Sequence, residues 1–383
     1  LIISLEIRSD EGLNGMAATQ DISLNKRKRC GVITLQRPQA LNALTRDMIR
    51  VSEDKTRIWA DDPDIYGVVI EAVDGKAFCA GGDIRSLYEW MTEQSDEALG
   101  YYREEYQHNW TLELFTKPTV SLVNGIVMGG GVGFCAYGTH RVAGESIKLA
   151  MPETAIGFFP DVGGSYLLSR FPGELGMYLG LTGRSIGQAD AYHLGFATHA
   201  VHSRNFQKIK NAMIEADPID PVVDALHEYP GPGTLMPMKD VIDRIFAAGT
   251  VEEIVKRLEE EDGDHLDWAK EVILELNRKS PLSLKITHKL IREARELRDL
   301  KSALIVDFRL AARFLRSHDF LEGIRAAIID KDQKPEWKPD KLSDVSDDMI
   351  DRYFSPLDEQ AGVAELELID PWSIQVRARQ VDL

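Results

Sequence analysis

A few positions in this chain have the residue types and spacing from which a reaction centre could be built. Two lie in glycine loops: Gly82 in AFCAGGDI (77–84) and Gly130 in NGIVMGGGVGF (124–134). Three are acids: Glu153 and Asp161 in MPETAIGFFPDVGGSYLLSRF (151–171), and Glu105 in YYREEYQHNW (101–110). Without a Cβ, glycine lets the backbone come close to a ligand oxygen, and a helix N-terminus adds partial positive charge. Loops that follow neighbouring parallel strands can aim N–H groups into one crevice at the strands' carboxyl ends. Such donors suit an oxyanion. Taken alone, each loop is equally compatible with a plain tight turn. Neither carries the dinucleotide fingerprint or the Gly-Lys-Ser/Thr of a phosphate loop.

Glu153 and Asp161 sit among Met, Phe and Pro, with no basic neighbour before Arg170. An ionised carboxylate is disfavoured there unless partnered, so the pKa should rise, which suits acid–base work. Structural roles are also open: a satisfied buried carboxylate for Glu153, and an N-cap at the Val162-Gly163-Gly164 turn for Asp161. On a helix over 98–115, Leu99, Tyr102, Tyr106 and Trp110 form an apolar stripe that Glu105 flanks, with Glu104 about 100° away. A solvated charge run is the alternative for Glu105. Cys79 lies in the first loop, yet no histidine is near in sequence to activate it, and it reads as packing.

The elements that must position these residues alternate between strand and helix. The runs 31–36, 65–73 and 119–123 read as buried strands, and 141–150 supplies two more around Gly144. Thr45 suits the N-cap of a helix from about 46 to 60. This alternation predicts an α/β core over 26–205. Residues 206–340 read as a helical insertion and C-terminal helical region, with a turn-rich YPGPGTLMPM at 229–238 and a helix break at Ser280-Pro281. Residues 1–25 read as an N-terminal extension, and 341–383 as a tail without a legible pattern. The opening LIISLEIRSDEGLNG lacks a basic region ahead of an apolar one and is not expected to direct secretion.

A composition of 44% hydrophobic and 28% charged residues is that of a globular enzyme. The net charge of −17 argues against nucleic acid or an anionic membrane as partner. The three cysteines, Cys30, Cys79 and Cys135, are too few and scattered for a disulfide framework or zinc site, so no metal is expected. They fit a reducing compartment, cytoplasmic or the mitochondrial matrix.

The segments LQRPQALNAL (35–44), KAFCAGGDI (76–84), KPTVSLVNGIVMGGGVGF (117–134) and MPETAIGFFPDVGGS (151–165), taken in order, resemble the successive signatures of the crotonase (enoyl-CoA hydratase/isomerase) superfamily. SHDFLEGIRAAIIDKDQKPEWKP (317–339) resembles its C-terminal helical ending. Within the superfamily the pattern is most similar to the 3-hydroxyisobutyryl-CoA hydrolase branch. The resemblance implies a crotonase-like spiral of ββα units and hydrolysis of 3-hydroxyisobutyryl-CoA or a close β-hydroxyacyl-CoA, as in valine catabolism. It implies an oxyanion hole from the backbone N–H groups of Gly82 and Gly130. Glu153 and Asp161 match the branch's catalytic acids, and Glu105, with Gly130, Glu153 and Asp161, its substrate-binding set. It implies no cofactor beyond the coenzyme A of the substrate, and a possible homo-oligomer, the fold often forming trimers or pairs of trimers. Enoyl-CoA hydratases carry a second glutamate where this chain has Gly133. A hydratase or isomerase with a single working acid is the alternative activity.

Overall fold

The computed structural model describes residues 20–73, 75–357 and 363–371. A six-stranded sheet has the order β1-β2-β3-β5-β7-β9, and a three-stranded sheet the order β4-β6-β8. β1 (Ile22–Arg27) and β2 (Cys30–Leu35) form an antiparallel hairpin, and every other pairing between strands of the two sheets is parallel. The next six strands come in pairs, the first member joining the large sheet and the second the small one. They are β3 (Gly67–Ala72) with β4 (Ala77–Cys79), β5 (Thr119–Val123) with β6 (Ile126–Met128), and β7 (His140–Ala143) with β8 (Lys148–Ala150). β9 is the short His199–Ala200. Helices follow the pairs, as the expected ββα spiral requires. α1 (Arg46–Asp61) precedes β3, α2 (Ile84–Thr92) and α3 (Glu97–Glu113) follow β4, and α4 (Gly130–Ala136) follows β6.

All of β5 is buried, since both faces of the large sheet are covered. One face, with Ile33, Val68 and Ile70, joins the main core. The other carries Val32, Val69, Val120 and Val142 and packs on Ile209, Met213 and Val223. Those last side chains come from the helices Phe206–Glu215 and Ile219–Leu226, so the start of the insertion closes the sheet's second face. Thr45 caps α1 as expected, accepting from the Met48 N–H at 3.2 Å.

Two boundaries differ from expectation. Ile22 is 1% exposed and pairs with Leu35, so the core sheet starts before residue 26. Much of that strand is polar on its outer side, which hid it in the sequence. The expected extension otherwise falls on residues outside those described. The described residues of the tail include a helix Asp347–Phe354 and a strap over 363–371 lying on α3. There Gln107 and the Ile369 backbone exchange two hydrogen bonds of 2.9 and 2.8 Å, and Trp110 Nε1 donates to Asp370 at 2.8 Å. Val363, Leu366 and Leu368 of the strap are buried in the main core with more exposed residues between them, a run too short to stand out in the sequence.

Candidate active site

The glycine loops meet edge to edge. The parallel bridge between Leu44 and Gly82 runs through Leu44 N–H to the Gly81 carbonyl (2.8 Å) and Asp83 N–H to the Leu44 carbonyl (2.9 Å). The Gly82 N–H takes no part in that bridge. Gly81 at φ 108° and Gly129 at φ 49° turn the two loops toward each other, in a region where side chains are strained. A Cβ on Gly130 would sit 3.4 Å from the Gly82 nitrogen. Gly130 is the first residue of α4, whose leading N–H groups have no partner within the helix. The Gly82 and Gly130 backbones thus lie side by side at the carboxyl ends of the small sheet's strands.

The acids crowd the same place. Glu105 Oε1 occupies the space that a side chain at Gly130 would need, and the Tyr101 hydroxyl lies 2.5 Å from a Cβ on Gly82. Glu153 Oε1 lies 2.9 Å from a Cβ on Gly129. Tyr106 donates its hydroxyl proton to Asp161 Oδ2 at 2.8 Å. Glu105, Glu153 and Asp161 are 3%, 6% and 5% exposed. Glu105 is therefore inside, while Glu104 turns outward to Arg46 and Arg50 at 2.7 and 2.9 Å. The stripe on α3 understated its burial: Tyr101, His108 and Asn109 are buried as well, because the helix is covered on several sides.

No Lys, Arg or His lies within ion-pair distance of these three acids among the described residues, and their protonation follows from that. Burial pushes Glu153 well above the usual carboxylate range, the Asp161 charge adds to this, and Lys279 opposes it. Glu153 Oε2 has no hydrogen-bond partner. Glu105 is raised by burial and then by Asp161, against the Tyr101 hydroxyl at 3.3 Å. Asp161 is pushed up to about 7 by burial, with the Tyr106 hydrogen bond holding it down. Burial lifts the Cys79 thiol to about 12, in keeping with a packing role. No group of three or more His, Cys, Asp or Glu able to hold a metal occurs among the described residues. A surface cavity of about 750 Å³, lined by Glu71, Asn124, Arg204 and Lys210, contains none of the site residues.

Comparison with known proteins shows the family. A model of the enoyl-CoA hydratase/isomerase family covers residues 30–354. This chain belongs to that family. It is 41% identical over 353 residues to the mitochondrial 3-hydroxyisobutyryl-CoA hydrolase of Danio rerio, spanning 90% of this chain and 91% of that one. It is similar to the crystal structure of a carnitinyl-CoA dehydratase from Mycobacterium thermoresistibile, with a TM-score of 0.85 and 35% identity over 92% of this chain and 99% of the other. An enoyl-CoA hydratase from Rhodobacter sphaeroides 2.4.1 gives a TM-score of 0.83 and 39% identity over 91% of this chain and 99% of its own.

Where the hydratases of the family are expected to carry a second glutamate, a Cβ on Gly133 would lie 2.8 Å from Val162 Cβ and 2.9 Å from Asn109 Nδ2. That space is already filled. Val162 holds φ 52° while fully buried, a conformation that costs a β-branched residue about 1–3 kcal/mol. Tyr137 donates to the Val162 carbonyl, and the Gly163 N–H donates to Asp307 Oδ2 at 2.7 Å. The N-cap role open to Asp161 therefore goes unfilled by its side chain, which faces Tyr106. Asp307, Tyr106 and Tyr137 were not singled out from sequence as site residues. Asp307 left a signal: in LKSALIVDFRLAARF it falls on the buried face with Ala303, Leu304, Ala311 and Phe314 at helical spacing. The C-terminal motif also reaches the site. Gly323 packs on the Ile156 carbonyl and Gly157 on the Asp319 carbonyl, bracing the turn Glu153–Ile156.

Proposed function

We propose that the chain hydrolyses the thioester of 3-hydroxyisobutyryl-CoA or a close β-hydroxyacyl-CoA. The observation that carries this reading is a buried set of carboxyls, without cations, around two backbone N–H donors. The Gly82 and Gly130 N–H groups would polarise the thioester carbonyl and hold the tetrahedral oxyanion, each donor typically contributing roughly 3–4 kcal/mol. Glu153, raised and with a free oxygen, would take a proton from water as it attacks. Alternatively its carboxylate would attack directly, forming an anhydride that water then opens. In either route the C–S bond breaks, coenzyme A leaves as thiolate and is protonated, and the acid is released.

Asp161 and Glu105 would accept hydrogen bonds from the substrate's β-hydroxyl. Burying extra carboxyls is costly unless something donates to them. A site built around a hydroxyl can reject an analogue lacking it by about 10⁴-fold. The Danio rerio relative is named for this hydrolysis, and the identity to it extends through most of both chains. The name of that relative also supports the mitochondrial matrix, with the bacterial cytoplasm as the other setting. No helix among the described residues is long and apolar enough to cross a membrane. The substrate brings its own coenzyme A, and the reading calls for no other cofactor.

The names of the two solved relatives favour a second reading, hydration or dehydration of a coenzyme A thioester. The filled space at Gly133 weighs against it, because half of a hydratase's pair of acids has no place. The test is a comparison of thiol release from 3-hydroxyisobutyryl-CoA with loss of enoyl absorbance from crotonyl-CoA. Release should be faster, and isobutyryl-CoA should be hydrolysed at least about a hundredfold less efficiently, a cautious fraction of the hydroxyl limit. Faster hydration would transfer the assignment to the second reading.

A further inference from the structure

We infer that Asp307 is a positioning residue for Asp161, fixing the turn Asp161–Val162–Gly163 so that the Asp161 carboxylate stays aimed at the substrate's hydroxyl. This rests on the hydroxyl-recognition reading above. Asp307 comes from the helix Leu300–Phe314, far from the glycine loops in sequence, and is fully buried. Its Oδ2 accepts the Gly163 N–H at 2.7 Å, while Oδ1 has no partner. A buried carboxyl kept for a single backbone N–H is an expensive way to satisfy one donor. Its location explains the expense.

The three residues of the turn are held from three sides. Tyr106 holds the Asp161 side chain, Tyr137 the Val162 carbonyl, and Asp307 the Gly163 N–H. Val162 between them has positive φ, so the turn would relax if released. There is little slack on either side. Gly163 is itself at φ 73°, and a Cβ on it would overlap Leu300 and the Tyr137 hydroxyl. Relaxing Val162 toward ordinary φ would rotate the Asp161–Val162 peptide and take the Asp161 carboxylate off Tyr106. Asp307 meets neither glycine loop nor Glu153 through any hydrogen bond, so its effect should fall on hydroxyl recognition and leave the oxyanion site in place. Burial raises Asp307 well above the usual carboxylate range, with the Gly163 hydrogen bond opposing and the charge of Asp161 adding to it, which favours its neutral form, and an amide would then mimic it closely.

The test measures kcat/KM for 3-hydroxyisobutyryl-CoA and isobutyryl-CoA in wild type, Asp307→Asn, Asp307→Ala, Tyr137→Phe and Asp161→Ala, with a thermal melt for each. Asp307→Asn keeps an oxygen for Gly163 and should stay within about threefold of wild type on both substrates. Asp307→Ala removes the acceptor and should shrink the ratio between the substrates at least about tenfold, by slowing the hydroxylated one. Tyr137→Phe loses the other clamp and should shrink it by a smaller factor, which keeps the test open if Asp307→Ala fails to fold. A wild-type ratio in both Asp307→Ala and Tyr137→Phe, or in Tyr137→Phe alone when the alanine variant is unfolded, overturns the inference. Equal losses on both substrates, or equal damage from asparagine and alanine, would also overturn it. If Asp161→Ala leaves the ratio unchanged, the hydroxyl-recognition reading itself has failed, and the two failures are thereby told apart.

Discussion

Glu153 and Glu174 are both nearly out of water, at 6% and 8% exposed, yet they sit in opposite surroundings. Glu174 is gripped by Arg292 and Arg295 through four hydrogen bonds of 2.8 to 3.1 Å. Glu153 has a distant lysine, a neighbouring acid and one oxygen with no partner. Burial alone therefore says little about what an acid is for. The bonded acid ties the segment before Leu175 to the C-terminal helices. Glu153, beside the Gly129 backbone, keeps one carboxyl oxygen without a partner, as the proposed role in attack on the thioester requires.

The comparison can be broken most sharply by replacing each acid with its neutral or truncated form. Glu153→Gln should lower thioester turnover by roughly 10³-fold. Its melting temperature should stay equal or rise, since a costly buried acid is removed; thiol release and a thermal scan on the same sample decide both. Glu174→Ala should do the reverse. It leaves two arginines without their partner and should cost roughly 3 kcal/mol of stability in a denaturant titration, while kcat of the folded fraction is preserved. If Glu174→Ala lost turnover but not stability, the contrast between the two acids would fall.

A smaller effect is expected where an acid is missing. Gly133→Glu should not create hydration of crotonyl-CoA, because Val162 and Asn109 fill the space. It should instead destabilise by about 1–3 kcal/mol through overpacking. Gain of crotonyl-CoA hydration would show that the neighbours move aside.

The mildest effect is in pH dependence. Asp161 is raised to about 7 in the folded chain, so the native state binds its proton more tightly than the unfolded state does. The stability this confers is present at low pH and is lost as pH climbs from about 4 through 7. Asp161→Asn lacks that loss. Its stability relative to wild type should climb over this window, reaching a gain of at least about 1 kcal/mol above pH 7, with the melting temperature rising in step. The same change removes a negative charge that raises Glu153, so the rising limb of activity should move to lower pH. A pH-independent gap in melting temperature would mean that Asp161 titrates alike in both states.

Glu104 and Glu105 show where sequence periodicity stops being informative. Helical spacing put Glu105 at the flank of an apolar stripe and left a solvated charge run open. The structure separates them because α1 brings Arg46 and Arg50 to Glu104 from outside, while Gly130 leaves room for Glu105 within. Neither fact is local to α3. Asp307 is the same case carried further, since its partner Gly163 is 144 residues away.

The sequence by itself determined five strands of the core (β2, β3, β5, β7 and β8), the cap at Thr45, the two glycine loops and the acids Glu105, Glu153 and Asp161 as the candidates. These are local matters: β-branched runs, helical spacing and glycine where only glycine fits are all written within a few residues. The ordered motifs also carried the family and the missing second glutamate at Gly133. Tertiary structure alone decided which carboxyls lack a cation, since an ion pair depends on side chains from distant segments. It alone filled the space over Gly133 and drew Tyr106, Tyr137 and Asp307 around the Asp161 turn. Hydrogen bonds across so many residues have no period along the chain, and only folding brings their partners together.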